Sequence, residues 1–181
     1  MTADMTPETN AEASAAMSPE MTAFFTLHRD LPREGPGEPE DVHWAVEQVD
    51  LPARAEIADV ACGPGSDIGA LRAALPQGHV TALDKVAHYV EAARGRFVAD
   101  GNVTLLRADM SVIANQYDLI WCAGAIYFLG VTEALRSWRT ALRPGGVVAF
   151  PDPLWLPDAP SEGAIAFLAD HPATRYQRES T

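Results

Sequence analysis

The residues best placed to do chemistry lie in or directly after two hydrophobic runs of the sequence. They are two glycines, Gly63 and Gly65, and two acids, Asp59 and Asp84. The first run, Ile57 to Cys62, leads into Asp59–Gly65, which reads DVACGPG, and a helical pattern follows. The second run, His79 to Leu83, ends on Asp84. A strand, a glycine turn and a helix offer backbone N–H groups to a cofactor. A carboxylate at the tip of the second strand is placed to hold the two hydroxyls of a ribose.

The spacing of the glycines disfavours a dinucleotide. The dinucleotide fingerprint is G-x-G-x-x-G, whose third glycine lets the helix pack close to the strand. Here the glycines are Gly63, Gly65 and Gly69, so the third falls one residue late. An NAD-dependent oxidoreductase therefore remains only as a less favoured alternative.

Strand and helix patterns alternate along most of the chain. Predicted strands are Glu56–Ala61, Val80–Leu83, Val103–Leu106, Tyr117–Cys122 and Val147–Phe150. Predicted helices run from Ser18 to before Leu31, and over Asp41–Val49, Ile68–Leu75, Val86–Ala99, Thr132–Leu142 and part of Ser161–Asp170. This alternation predicts an α/β fold, a Rossmann-like doubly wound parallel sheet with strand order 3-2-1-4-5. Its ligand crevice is expected at the carboxyl ends of the first and fourth strands, where the order reverses.

Charge and composition restrict the partners. The formal net charge is −12, and no basic stripe is visible, which disfavours nucleic acid and anionic membranes as partners. No apolar run approaches the roughly 20 residues that span a bilayer, and the polar, acidic N-terminus is unlike a secretory signal. We therefore expect a cytoplasmic protein. No metal site is expected, because no histidine stands at ligand spacing.

Two cysteines, Cys62 and Cys122, end strands that are predicted to be neighbours. The simpler interpretation is two small buried residues in a reducing compartment. The alternative is a redox-sensitive pair beside the cofactor.

The segment DVACGPG resembles motif I of the class I S-adenosylmethionine-dependent methyltransferases. That family usually has D/E-x-G-x-G-x-G, and Ala61 stands here at the first glycine, where its Cβ disfavours a positive φ. Asp84 matches the family's ribose-binding acid. Arg107–Met110 looks like the segment after the third strand, in which an acid bonds the adenine amine, and Leu142–Gly146 looks like the turn before the fifth strand.

The resemblance implies S-adenosyl-L-methionine as the cofactor and methyl transfer to a small molecule as the activity. The residues that it places around the cofactor are Asp59, Ala61, Cys62, Gly63, Gly65, Asp84, Lys85, Asp109, Met110 and Cys122. No residue is an unmistakable general base, and Tyr127 and His28 are candidates by expected location alone. The acceptor and the atom that is methylated therefore stay open.

A narrower likeness extends the match to a bacterial subgroup of small-molecule methyltransferases, through His28–Gly37 and Gly124–Tyr127. The domain organisation that follows is a disordered tail (1–17), an N-terminal helical lid (18–54), a cofactor-binding core (55–153) and a proline-rich segment (154–181). The family normally continues with a hairpin for which the sequence after Phe150 has no room. The C-terminal end is thus expected to be incomplete, which supports two further hypotheses: a catalytically inactive binding module, and a homodimer paired through the fifth strand.

Overall fold

The computed structural model describes residues 19–152 and 161–168 of the 181-residue chain. The chain divides after Asp30 into two compact units. The first contributes helix α1 (Pro19–His28), and the second, from Leu31 on, carries the sheet and its other helices. The tail expected over residues 1–17 lies outside the described residues, as does most of the proline-rich segment.

Five parallel strands form one sheet in the order β3-β2-β1-β4-β5. They are β1 (Glu56–Val60), β2 (His79–Asp84), β3 (Val103–Arg107), β4 (Tyr117–Trp121) and β5 (Leu142–Ala149). The predicted fold class and strand order are confirmed. Because β1 lies between β2 and β4, the order reverses there, and the carboxyl ends of β1 and β4 meet at the edge where such sheets bind ligands.

The second unit contains α2 (Pro39–Glu47), α3 (Ile68–Ala74), α4 (Ala87–Phe97), α5 (Val131–Trp138) and α6 (Glu162–Leu168). Buried residues of α2, α3 and α4 pack on one face of the sheet, and those of α5 pack on the other. Helix α2 begins with a capping box formed by Glu38 and Asp41, and Pro39 stands in its first turn. It packs against α3, so it belongs to the layer of helices on the sheet. A lid role for residues 18–54 as a whole remains a prediction.

The core consists of two apolar clusters, one on each face of the sheet. On one face, Ile57 of β1 packs with Val42 of α2 and Leu71 of α3. On the other, the next strand position, Ala58, lies with Ile120 and Trp138. All six residues are fully buried, as expected for a parallel sheet that is covered on both faces.

The chain before β5 differs from the prediction. The expected helix Thr132–Leu142 ends at Trp138, a 3₁₀ turn covers Arg139–Ala141, and β5 begins at Leu142. Trp138 is fully buried, and its Nε1 donates to the carbonyl of Met110 at 2.7 Å, which holds the end of the helix. The strand can start early because its pairing with β4 shifts register and accommodates the Arg143–Gly146 turn as an irregularity.

Among the described residues, no helix is long and apolar enough to cross a lipid bilayer.

Candidate cofactor site

The turn after β1 brings the predicted glycines to the edge where the strand order reverses. Gly63 and Gly65 have φ angles of 54° and 83°, which glycine adopts without steric cost. Gly65 also needs its small size, because a Cβ there would lie 2.9 Å from Cδ1 of Ile68 and 3.1 Å from the Cβ of Ala93. Backbone conformation and close packing therefore both require glycine at position 65.

Ala61 adopts the same left-handed region, with a φ of 55°. The turn thus keeps the conformation of the family pattern in spite of the alanine Cβ. For a residue with a Cβ this conformation costs about 1–2 kcal/mol. The surrounding structure holds it: the next residue, Cys62, donates its N–H to the carbonyl of Leu83 at 3.0 Å, which ties the turn to β2.

The backbone N–H groups of the turn are already bonded within the chain, which corrects the expectation that they are presented bare. The N–H of Cys62 bonds to β2, that of Gly63 donates to Asp84 Oδ2 at 3.0 Å, and that of Gly65 donates to the carbonyl of Cys62 at 3.0 Å. The residue between the two glycines is proline, which has no N–H. Anionic groups such as pyrophosphate bind to glycine turns through free N–H groups. This turn lacks that usual cradle at these positions.

Asp84, buried at the end of β2, holds the turn in place. Its Oδ2 accepts from the N–H of Gly63 at 3.0 Å, and its Oδ1 accepts from the N–H of Val86 at 2.8 Å. Burial raises the pKa of this carboxyl, and the two N–H donors partly oppose that effect. Each carboxylate oxygen has a second lone pair. The backbone bonds therefore leave an acceptor position on each oxygen for the predicted ribose hydroxyls.

Asp59, inside β1, is a buried carboxyl with an unsatisfied atom. It is 2% exposed, and its Oδ2 has no hydrogen-bond partner among the described residues. Burial raises its pKa well above the ordinary value, and the nearby charges of Asp67 and Asp84 add to the effect. Burial therefore disfavours the ionised form of Asp59 next to the glycine turn.

Three other predicted cofactor residues lie near the ends of β2 and β3. Asp109 is exposed, and its Oδ1 accepts from both the N–H and the hydroxyl of Ser111, which lowers the pKa of the carboxyl. Met110, the next residue, is buried in the apolar cluster below the edge. Lys85 is exposed directly after Asp84. The structure thus brings these residues to the same edge as the glycine turn.

Both cysteines are free thiols at this edge. Burial raises the pKa of Cys122 to about 12 and raises that of Cys62 well above its usual range. Since the thiolate is the reactive form of cysteine, both side chains are poorly reactive at neutral pH. This favours the interpretation as small buried residues over that as a redox pair.

The two candidate catalytic residues lie in different units of the chain. Tyr127 is half-buried in the 3₁₀ turn Ile126–Phe128, which follows β4, and burial raises the pKa of its hydroxyl. His28 is the last residue of α1, in the first unit. Their roles remain predictions. Within the described ranges, no three His, Cys, Asp or Glu side chains are grouped as metal ligands would be.

A second layer of the site, which we call the strap (residues 32–37), lies within the segment predicted as a lid, but its side-chain contacts were not predicted. Arg33 forms an ion pair with Asp67, and Asp67 also accepts a 2.9 Å hydrogen bond from Trp121 Nε1. The carbonyl of Pro32 accepts a hydrogen bond from the hydroxyl of Ser66. These bonds hold the strap against the glycine turn and β4. The sequence signal was the segment itself, Arg33–Gly37, whose prolines and glycines mark a fixed loop.

The chain is similar in sequence to known methyltransferases. Residues 57–146 match a family model described as a methyltransferase domain. The chain is 31% identical over 116 residues to a trans-aconitate 2-methyltransferase of Paracidovorax citrulli, covering 61% of this chain and 44% of that protein. It is 38% identical over 107 residues to a malonyl-[acyl-carrier protein] O-methyltransferase of Enterobacter lignolyticus, covering 55% and 40%. The chain therefore spans less than half the length of these curated relatives.

Solved structures share the fold at low sequence identity. A methyltransferase from Thiobacillus denitrificans, in complex with S-adenosyl-L-homocysteine, superposes with a TM-score of 0.70 at 20% identity, over 85% of this chain and 64% of that one. A methyltransferase from Geobacter sulfurreducens, in complex with the same compound, gives 0.68 at 19% identity, over 86% and 64%.

Proposed function

Because the chain belongs to the class I S-adenosylmethionine-dependent methyltransferases, we propose that it binds S-adenosyl-L-methionine and transfers its methyl group to a small-molecule acceptor. The relatives named above act, by their names, on trans-aconitate and on a malonyl group. A small acceptor is also consistent with the net charge of −12, which disfavours nucleic acid.

The observation that carries the proposal is the chemistry of the glycine turn. Its N–H groups at residues 62, 63 and 65 are bonded within the chain, while the carboxyl of Asp84 offers hydrogen-bond acceptors beside it. Such a site suits the hydroxyls of a ribose and is poorly suited to the anionic pyrophosphate of a dinucleotide. S-adenosylmethionine, with a ribose and a sulfonium, fits these residues.

The order of the strands sets the direction in which the cofactor would lie. Asp109 follows β3, Asp84 ends β2, and the glycine turn follows β1, and these three strands are consecutive in the sheet. With adenine at Asp109 and ribose at Asp84, as the family resemblance implies, the rest of the cofactor extends over Gly63 toward the end of β4. The reacting methyl group would then face the segment 123–130.

When bound, the cofactor supplies a methyl carbon that its sulfonium makes electrophilic. The chain's task is to hold an acceptor atom in line with that carbon and to exclude water. Tyr127 is suited to donating or accepting a hydrogen bond in its neutral form, because its raised pKa disfavours the phenolate at neutral pH. We therefore assign Tyr127 to positioning an acceptor, and we leave the base, if the acceptor needs one, open between His28 and water.

A methyl-release assay tests the activity. The chain is incubated with S-adenosylmethionine labelled on the methyl group, first with trans-aconitate and a malonyl thioester and then with fractions of a metabolite extract. The Asp84→Ala variant serves as the negative control. Transfer to any acceptor by the unmutated chain alone supports the proposal. Binding of the cofactor without transfer to any fraction would favour the alternative of an inactive binding module.

The assembly and location of the protein are also proposals. Strand β5 pairs with β4 on one side, and in the described part of the chain no strand pairs with its other side. An open edge of this kind invites pairing with a second copy, so we propose a homodimer through β5. Light scattering that gives a monomer at high concentration would contradict it. A cytoplasmic location is consistent with two free thiols.

A further inference from the structure

Two segments leave the sheet on the side of the crevice where the methyl acceptor is expected. Strands β4 and β5 are parallel and paired to their last residues, and the N–H of Cys122 donates to the carbonyl at the end of β5 at 3.1 Å. The segments that follow, residues 123–130 and 150–152, therefore start at the same edge of the sheet. Each contributes to one apolar cluster, the first through Ile126 and the second through Phe150. The two segments are thus neighbours beside the expected methyl group.

The charge in these two segments is entirely negative. Residues 123–130 read AGAIYFLG and residues 150–152 read FPD, so neither contains a lysine, an arginine or a histidine. Arg33 of the strap is already paired with Asp67. A carboxylate acceptor would therefore find no cationic side chain in either segment to form the charge-assisted hydrogen bonds that usually hold such groups.

Asp152 is the charged residue in these segments, and its charge is not offset. Its side chain is half-buried just after β5. Burial raises the pKa of its carboxyl, and no cation in the described part of the chain opposes that effect. A carboxylate that is partly removed from water without a partner costs free energy. A cationic ligand beside Asp152 would offset this cost.

Two aromatic side chains stand in the neighbouring segment. The ring centroids of Tyr127 and Phe128 lie 4.3 Å apart, with their planes tilted by 37°. Phe128 is 70% exposed, so much of its ring is accessible to a ligand. The face of an aromatic ring carries partial negative charge and attracts ammonium groups. Aromatic rings next to a carboxylate therefore suit a cation and disfavour an anion.

We propose that the methyl acceptor is an amine, which binds in its ammonium form to Asp152 and to the rings of Tyr127 and Phe128. The inference rests on the proposed function, because it presupposes S-adenosylmethionine in the crevice. Before transfer, the ammonium loses one proton to water, and the lone pair of its nitrogen forms a bond to the methyl carbon. The bond from that carbon to sulfur breaks, and its electron pair stays on sulfur as S-adenosylhomocysteine forms. The methylated nitrogen carries the positive charge, which Asp152 offsets.

A labelling experiment tests the class of acceptor. A metabolite extract is separated by ion exchange at neutral pH into cationic, neutral and anionic fractions. Each fraction is incubated with the full chain and with S-adenosylmethionine labelled on its methyl group. Fragmentation in a mass spectrometer then locates the methyl group in the product. We expect the label in the cationic fraction and on nitrogen.

Variants test the residues that bind the ammonium, with the active fraction as substrate. Asp152→Asn should raise KM for the acceptor about 10-fold, as for loss of a hydrogen bond to a charged group, with a smaller change in kcat. Asp152→Glu keeps the charge and should restore most of the affinity. Phe128→Ala should raise KM about 2- to 5-fold, as for an exposed cation–π contact. Glu133→Gln removes a carboxylate from an exposed position on α5 and should leave KM unchanged.

Each outcome has a separate meaning. Transfer to oxygen or carbon, in whichever fraction, would leave the proposed function standing and contradict the amine. Absence of transfer in all fractions would contradict the proposed methyl transfer itself, and the amine with it. Transfer to nitrogen with an unchanged KM in Asp152→Asn would contradict the role of Asp152. An equal rise of KM in Asp152→Asn and Asp152→Glu would show that the shape of this side chain matters and its charge does not. Thermal unfolding of each variant verifies that it is folded.

Discussion

The two sides of the crevice are built in different ways. On the β1–β2 side, the turn is tied by backbone bonds to β2, by Asp84 to α4, and by Asp67 to the strap and β4. On the side after β4, the 3₁₀ turn Ile126–Phe128 presents aromatic side chains, of which Phe128 is 70% exposed. The first side is built from backbone geometry and buried carboxyl groups. The second presents a half-buried tyrosine, Tyr127, and the exposed Phe128.

This difference explains what a methyltransferase domain must keep and what it is free to vary. A cofactor common to the whole family needs one geometry, and here that geometry is set by a positive-φ turn and a carboxylate bonded to the backbone. An acceptor differs from one enzyme to the next, and we expect it to contact the exposed side chains after β4, such as Phe128. Substitutions on the first side, each with a control elsewhere in the chain, test this difference.

The largest effect is expected at Gly65. Gly65→Ala combines a left-handed backbone, which costs about 1–2 kcal/mol with a Cβ, with crowding by Ile68 and Ala93, which adds about 1–3 kcal/mol. Gly145 lies in the irregular part of β5, between the paired residues Leu142 and Val147. It has a similar φ (82°) but open space around its Cβ position. Gly145→Ala should therefore cost only the backbone share. Urea unfolding measures the free energy of unfolding of both variants. Equal losses would show that crowding at Gly65 does not add to the backbone cost.

Asp84→Ala should weaken cofactor binding by about 1.5–3 kcal/mol, as for loss of hydrogen bonds to a charged group. The control is Asp100→Ala, at the amino end of β3, where the carboxylate bonds Asn102 and Arg72 far from the crevice. Calorimetry with S-adenosylhomocysteine should register the change in the first variant alone. Unchanged affinity in Asp84→Ala would remove the ribose role.

Asp59→Asn should stabilise the free protein at neutral pH by roughly 1 kcal/mol or more, because the amide cannot ionise and so avoids the cost of a buried carboxylate. The pKa of Asp59 is raised in the folded state, so the folded chain binds more protons than the unfolded one above pH 3.8. Its free energy of unfolding therefore falls as the pH rises from 3.8 through the raised pKa. The asparagine variant should lose this part of the pH dependence.

The control for that measurement is Asp118→Asn, for which we expect a loss of stability instead of a gain. Asp118 on β4 accepts hydrogen bonds from Arg143 at 2.7 Å and from the N–H of Glu56 at 2.8 Å. Asp118→Asn weakens a satisfied ion pair and should destabilise the protein at neutral pH. Chemical unfolding at several pH values compares the two, and a loss of stability in both variants would contradict our account of Asp59.

The smallest effect is expected at Ala61. Ala61→Gly relieves the left-handed strain but makes the unfolded chain more flexible, so the net gain in stability should be at most about 1 kcal/mol. Asn115 also has a positive φ, of 75°, which asparagine tolerates better than alanine does. In thermal unfolding, Ala61→Gly should raise the melting temperature more than Asn115→Gly does. The reverse order would show that the turn is not strained at Ala61.

The sequence was sufficient for those parts of the site that depend on local spacing. The run Asp59–Gly65 and the acid Asp84 each sit at the end of a strand, and alternation of strands and helices determined the sheet order that brings them together. The bonds inside the turn were not predictable, because they join Cys62 and Gly63 to a strand some twenty residues later in the chain.

The strap was even less accessible to sequence reasoning. Its residues have no periodic pattern, and the contact between Glu34 and Gly63 joins residues that are far apart in the sequence. The early end of α5 was missed for a similar reason, because the hydrogen bond from Trp138 to Met110 joins distant parts of the chain. The position of the strap and the end of α5 depend on single side-chain contacts between distant parts of the chain. Such contacts cannot be predicted from residue spacing or composition.

The central claim is that the glycine turn accepts an adenosyl cofactor and not a dinucleotide. Calorimetry of the unmutated chain with S-adenosylhomocysteine and with NAD, under the same conditions, tests it most directly. We predict saturable binding of S-adenosylhomocysteine, one molecule per chain, and no heat of binding with NAD. Binding of NAD, or the absence of binding with S-adenosylhomocysteine, would contradict it.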